Sequence, residues 1–335
     1  MGRPEADGGA PAIEAVGVTK RFGAARGSAS ASADAVDAVD AVDAVDAVHD
    51  LTLAVRPGER LAFIGPNGAG KSTSIKMLTG ILHPTSGTAR VLGVVPWEQR
   101  RALAARTGTL FGQRSQLWFE LSPRQSLRML AAIYGMDRAR ERRRVAELGE
   151  LLDAAELFDQ RVRDLSLGQR MRCELAACLL HEPEILFLDE PTIGLDLLAK
   201  RRFRELLVAL NEASGTTVFL TSHDVADIEH VAQRVVVISA GSLIYDASVS
   251  TMRRTMLSTK LVDVGLERAG VPLDLDGVTV LEQGESSARL SVDTGRTSIR
   301  DVLGAVLDTW SVSDISVVDP PLEQVIAEIY SERRA

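Results

Sequence analysis

The chain has 335 residues, 45% hydrophobic and 25% charged, enough apolar material for two folded domains and inconsistent with a wholly disordered polymer. Its 46 acidic residues outnumber 38 basic ones for a net charge of −8, so the composition argues against a nucleic-acid partner, which requires a basic face. The two cysteines, Cys173 and Cys178, lie five residues apart, about 140° around a helix, so they neither converge on a metal nor suggest a disulfide framework; a reducing cytoplasm is expected.

Residues 1–12 lack an apolar core, so they are read as a disordered N-terminus and not as a signal peptide. No window approaches the ~18 apolar residues of a membrane span. Ile13–Thr19 alternates as a strand, which Lys20–Gly23 is expected to end. Residues 24–48 are low in complexity and close with five tandem copies of Asp-Ala-Val, Asp34 to Val48. A period of three fits neither strand nor helix, so this segment is predicted to be a disordered insertion. Loop-closure entropy rises by only about 0.6 kcal/mol per doubling of length, so a fold can carry it.

Leu51–Val55 and Arg60–Ile64 read as strands joined by a Pro57-Gly58 turn. Next come Gly65-Pro66-Asn67-Gly68-Ala69-Gly70-Lys71-Ser72-Thr73 and a helix predicted to reach Leu82. A strand, a Gly-rich loop ending in Lys-Ser and a helix make the context in which G-x-x-x-x-G-K-[ST] cradles phosphates. The glycines aim backbone N–H groups inward, Lys71 would reach the β- and γ-phosphates, and the Ser72 hydroxyl would ligate Mg²⁺. Ala89–Val94 is a predicted strand, Trp97–Arg106 a helix and Thr107–Gly112 a strand. From Ser122 to Leu180 the pattern is helical, opened by a Ser122-Pro123 cap. The Arg138–Arg144 charge run reads as a solvated helix face.

Ile185–Leu188 is a continuous apolar run of the kind found in a central strand, and it ends in Asp189-Glu190. Downstream of a phosphate loop, Asp189 would hold Mg²⁺ and Glu190 would face the attacking water as general base or positioner. A helix over Leu198–Ala213, a strand over Thr216–Leu220 and the sequence Ser222-His223-Asp224 follow. Strands at Arg234–Ile238 and Leu243–Tyr245 close an α/β domain. Beyond Ser250, short alternating runs, a helix at Ser298–Leu307, a strand at Val312–Val318 and a last helix at Leu322–Tyr330 suggest a small α+β domain.

Taken in order, these motifs resemble the ATPase subunits of ABC transporters over roughly residues 13–250. Leu165-Ser166-Leu167-Gly168-Gln169-Arg170 resembles the signature motif, Gln113 falls at the Q-loop, Gly194-Leu195-Asp196 resembles the D-loop, His223 matches the switch histidine, and Phe22 sits at the adenine-stacking aromatic. The resemblance implies a P-loop ATPase domain over 13–250, with an α/β core, an antiparallel β subdomain and a helical subdomain at 115–180. A C-terminal α+β accessory domain is expected over 251–335. It implies ATP and Mg²⁺ as cofactors. ATP would be bound by Phe22, the Gly65–Thr73 loop and Gln113, with Ser166, Gly168, Gln169 and Asp196 contributing across a dimer. Ser72, Gln113 and Asp189 would serve the metal; Lys71, Glu190 and His223 would carry catalysis.

Two positions depart from the usual family pattern: Leu167 stands where Gly is common and Gly194 where a Ser-Ala sequence is common. Phe111–Leu121, the LSLGQRMR signature and Pro191–Asp196 resemble ABC-2-type exporter ATPases, and Asp319–Glu323 resembles the tail of drug-exporter members. Trp118 and Phe119 lie where the family receives a permease, unless they close the core. The implied partners are a membrane permease and a second ATPase copy, with the chain peripheral on the inner face of the cell membrane. A soluble ABC ATPase acting on nucleic acid or ribosomes, a non-catalytic regulatory module and an importer ATPase remain the alternatives.

Overall fold

The computed structural model describes residues 10–23, 45–111, 115–252, 259–268, 273 and 275–318. It divides into two compact units, Met1–Asp246 and Ala247–Ala335.

The first unit opens on a hairpin, β1 (Ile13–Phe22) against β2 (Val45–Val55). Both strands exceed their sequence-based bounds. β1 continues through Lys20–Phe22, and the last Asp-Ala-Val copy, assigned from sequence to a disordered insertion, is part of β2. The correction has a packing cause: Val48 is fully buried and Asp46 pairs with the Arg21 guanidinium at 2.5 Å. Residues 24–44 of the expected insertion lie outside the described residues. After β3 (Arg60–Ile64) come α1 (Lys71–Leu78) and β4 (Ser86–Val91), which pairs antiparallel with β1. The sheet order β2-β1-β4 forms an antiparallel layer.

The chain continues through α2 (Arg100–Ala104), shorter than its predicted span, and β5 (Thr107–Phe111). The helical stretch that follows is three helices and two short 3-10 turns. They are α3 (Pro123–Ile133), α4 (Arg138–Leu151) and α5 (Leu167–Leu179). Each begins at a side-chain cap: Ser122 with Gln125, Asp137, and Ser166 with Gln169. Such caps contribute about 1 kcal/mol apiece and fix where a helix starts.

β6 (Ile185–Asp189), α6 (Leu197–Ser214), β7 (Thr217–Thr221), α7 (Val225–Val231), β8 (Arg234–Ser239) and β9 (Ser242–Ser248) complete the unit. The six-stranded sheet runs β5-β6-β7-β3-β8-β9, with parallel ladders joining β5 to β6, β6 to β7, β7 to β3 and β3 to β8. Its middle strands are buried on both faces because alternate side chains serve two cores. Ile185 and Phe187 of β6 join Phe63, Phe219, Ile75 and Met77, whereas Leu186 and Leu188 join Leu175, Phe203 and Leu207 of the helices. Phe219 sits at the centre of the first set, 5.3 Å from Phe63 and 5.6 Å from Phe187.

In the second unit, β10 (Thr259–Leu266), β11 (Val278–Gln283), β12 (Ser287–Asp293) and β13 (Val312–Val318) form an antiparallel sheet in the order β11-β12-β10-β13, with α8 (Ile299–Thr309) between β12 and β13 in the chain. Val302 and Val306 of α8, with Trp310, pack on Val262, Val264, Leu290 and Val292. The expected last helix and the Asp319–Glu323 segment lie outside the described residues. Among the described residues no helix is long and apolar enough to cross a membrane.

Candidate active site

Because β6, β7 and β3 are adjacent and parallel, the loops leaving their carboxyl ends share one edge of the sheet, where open α/β sheets place ligands. β3 delivers residues 65–70, β6 delivers Asp189 and Glu190, and β7 delivers Thr221 and His223.

The loop after β3 is tight. Ala69 N–H donates to Pro66 O at 3.1 Å, and Gly70, at φ 105°, begins α1 with no side-chain cap. A β-carbon on Gly70 would fall 2.3 Å from Ala47 O, so only glycine lets β2 lie against the loop. The N–H groups at the start of α1 thus lack a capping side chain and suit an anion. Ser72 and Thr73, in the first turn, are partly exposed.

Lys71 is 5% exposed. Its Nζ donates to Gly65 O at 2.7 Å and Pro66 O at 3.3 Å, with Glu190 Oε1 at 3.6 Å as counter-ion. Burial pushes the Lys71 ammonium below the usual lysine range, partly offset by Glu190 and then Asp189. His223 Nε2 stands 2.7 Å from Glu190 Oε1 and 3.1 Å from Lys71 Nζ. One nitrogen cannot donate to the carboxylate and accept from the ammonium at once. The shorter contact assigns the ring hydrogen to Nε2, donating to Glu190.

Glu190 has φ 53°, a left-handed conformation uncommon for a non-glycine residue. Its N–H is held by Thr221 O at 3.1 Å and Thr221 Oγ1 at 3.0 Å, while that hydroxyl donates to Asp189 Oδ1 at 2.7 Å. Thr221 thereby fixes both acidic residues. Sequence reasoning overlooked it; its signal is position, at the end of an apolar strand two residues before His223.

The Ser72 hydroxyl and Asp189 carboxylate are hard oxygen donors. Among the described residues no three acidic, His or Cys side chains form a metal cluster. That donor set fits Mg²⁺, which keeps waters and takes one or two protein oxygens together with phosphate oxygens. Gln113, also expected to serve the metal, lies outside the described residues.

The remaining predicted residues stand apart. Phe22 is 48% exposed at the end of β1, with Lys20 Nζ 5.3 Å from its ring centre. Ser166 and Gln169 are engaged in a reciprocal cap: Ser166 N–H donates to Gln169 Oε1 at 2.9 Å and Gln169 N–H to Ser166 Oγ at 3.3 Å. Asp196 caps α6, accepting from Ala199 N–H at 2.8 Å. Gly168 lies close enough to α6 that a β-carbon there would be 3.4 Å from Ala199 Cβ. Trp118 and Phe119 are 40% and 47% exposed, and Arg170 of α5 lies 5.4 Å from the Phe119 ring. Both buried cysteines have thiols pushed up to about 12 by desolvation and are poor candidates for chemistry.

A family model described as ABC transporter matches residues 48–193. The ABC transporter ATP-binding protein NatA of Bacillus subtilis is 30% identical over 214 residues, 64% of this chain and 87% of the relative. The daunorubicin resistance ATP-binding protein DrrA2 of Streptomyces coeruleorubidus is 32% identical over 289 residues, 84% of this chain and 89% of the relative. This chain belongs to the ABC transporter ATP-binding proteins.

The fold agrees. The dimeric bacterial ABC transporter cassette MJ0796 superposes with a TM-score of 0.59 at 22% identity, covering 71% of this chain and 98% of that one. By its sequence relatives the protein is an ABC ATPase. Its two departures from the common family pattern meet in space. Gly194 has φ 77°, and a β-carbon there would lie 2.7 Å from Leu167 Cδ2. The side chain present at 167 thus fills the space that a side chain at 194 would need.

Proposed function

We propose that this ABC ATPase powers an ABC-2-type exporter, working on the cytoplasmic face of the membrane with a separate permease. The observation that carries the reading is the convergence of Lys71, Glu190 and His223 at the ends of three neighbouring strands. Drug-resistance naming of a relative that matches 84% of the chain supports export as the direction.

The chemistry follows from the side chains. The substrate's β- and γ-phosphates enter the cradle formed by the Gly65–Gly70 backbone and the start of α1. Lys71 then turns its hydrogens from two carbonyl oxygens to phosphate oxygens. Glu190 Oε1 is taken by His223, while Oε2 has no hydrogen bond among the described residues and faces the task of accepting a proton from water. Such a base contributes about 10²- to 10⁴-fold. His223 orients that carboxylate through its Nε2–H, and Lys71 supplies the cation toward developing negative charge on the phosphate. Ser72 and Asp189 would hold Mg²⁺, which would supply charge neutralisation on the phosphates.

Ser166, Gly168 and Asp196 are assigned to the nucleotide of a second copy. Supporting this, Ile193, Leu197 and Leu198 around Asp196 are 53%, 79% and 60% exposed, an apolar set that a partner would cover. Trp118 and Phe119 are assigned to the permease contact. The experiment is sedimentation velocity of the Glu190→Gln protein with and without Mg²⁺-ATP. A monomer-to-dimer shift that requires ATP supports the proposal; a monomer at saturating ATP refutes the shared-nucleotide arrangement.

A further inference from the structure

Glu190 and His223 reside on two separate loops, yet their contact is short. What joins the loops is a buried carboxylate that no step above uses. Asp227, in the first turn of α7, is 1% exposed and receives three short bonds. Thr192 Oγ1 donates to Oδ2 at 2.5 Å, Ser222 Oγ to Oδ2 at 2.6 Å, and Arg204 Nε to Oδ1 at 2.5 Å. Thr192 lies two residues after Glu190; Ser222 immediately precedes His223; Arg204 belongs to α6, the helix that Asp196 caps. All three donors are buried, at 3%, 3% and 6% exposure. A second layer completes the knot, with Lys200 Nζ and Arg204 Nη2 both on Asp224 Oδ2, at 2.7 and 3.1 Å.

We propose that Asp227 is the positioning residue of this ATPase: its carboxylate ties the Glu190 loop, the His223 loop and α6 into one rigid body and so sets the Glu190–His223 contact. Three converging donors demand a group at this place that offers only acceptors. A carboxylate only accepts, and it accepts from several directions; an amide would present a donor to one of these three hydrogens. The left-handed backbone of Glu190 adds to the need, since a strained residue persists only where its surroundings over-determine it. Thr221 holds the residue from one side and the Thr192–Asp227 bond holds its loop from the other.

The inference rests on the hydrolytic reading of Glu190 and His223, and the test separates the two. Asp227→Asn leaves Arg204 without its buried counter-ion and can fail by unfolding. Both Thr192→Val and Ser222→Ala keep that ion pair; the first removes the Thr192 tether alone, and the second removes the Ser222 tether together with the bond that Ser222 Oγ accepts from Asp224 N–H at 3.0 Å. Steady-state ATP turnover is measured for these variants and for Thr192→Ser, which retains the hydroxyl. The expected result is a fall in kcat of about 10- to 100-fold for the first two, since misplacement by about 1 Å costs of that order. KM for ATP should stay within about twofold, and Thr192→Ser should recover most of the rate. In the Glu190→Gln background, the same changes should leave ATP affinity unaltered. Wild-type kcat in both Thr192→Val and Ser222→Ala overturns the inference alone. Equal loss of kcat and ATP affinity, tracking loss of folded protein, also overturns it. No turnover in the unaltered chain overturns the hydrolytic reading and this inference with it.

Discussion

Replacing Gly194 with alanine tests whether the two unusual positions of this ATPase form one packing unit. At φ 77° an L-residue is strained by about 1–2 kcal/mol. The new methyl would lie 2.7 Å from Leu167 Cδ2, which must leave its rotamer at a further cost of about 0.5–1.5 kcal/mol. The sum, about 1.5–3.5 kcal/mol, corresponds to a fall in melting temperature of roughly 3–14 °C for a domain of this size. In a Leu167→Ala background only the backbone part remains, so Gly194→Ala should cost about 0.5–1.5 kcal/mol less than in the native chain. Urea unfolding of the four proteins of the double-mutant cycle, followed by circular dichroism, measures that difference. Costs that add within about 0.5 kcal/mol would refute the coupling, because independent sites behave that way.

Lys71→Ala should abolish most ATP binding in titration calorimetry, because the 5% exposed ammonium is the buried cation aimed at the phosphate cradle; affinity within threefold of the native value would contradict its role. His181 gives a pH signature. Burial against Tyr134, whose ring stacks at 4.0 Å, holds its imidazole below the usual 6.5. A depressed histidine binds fewer protons folded than unfolded, so its contribution is intact above pH 6.5 and is lost as pH falls toward the folded value. Urea midpoints should therefore drop between pH 7.5 and 5.5, and less steeply in His181→Gln, which keeps a donor for Thr107 O; parallel slopes would show that His181 is not the titrating group.

The phosphate loop, the Asp189-Glu190 strand end and His223 were legible in the sequence because each is a local pattern fixed by a strand terminus. Sheet adjacency then brings Glu190 and His223 to 2.7 Å, although 33 residues separate them. The buried network around Asp227 was not legible. Its donors, Thr192, Ser222 and Arg204, are scattered polar residues whose meeting depends on how α6 and α7 pack on the sheet. The β2 boundary was misjudged for a related reason. A three-residue repeat carries no strand period, but the pairing of β2 with β1 overrides it once Val48 has a core to enter. Leu167 and Gly194 read as two separate departures until their contact made them one.

The central claim is that Glu190 performs the hydrolytic step in a site built by Lys71, Asp189 and His223. Pre-steady-state ATP cleavage by the Glu190→Gln protein, compared with the native chain at equal Mg²⁺-ATP, tests it most directly. A rate lowered by about 10²-fold or more, with ATP still bound, is the predicted result; cleavage at the native rate would contradict the assignment.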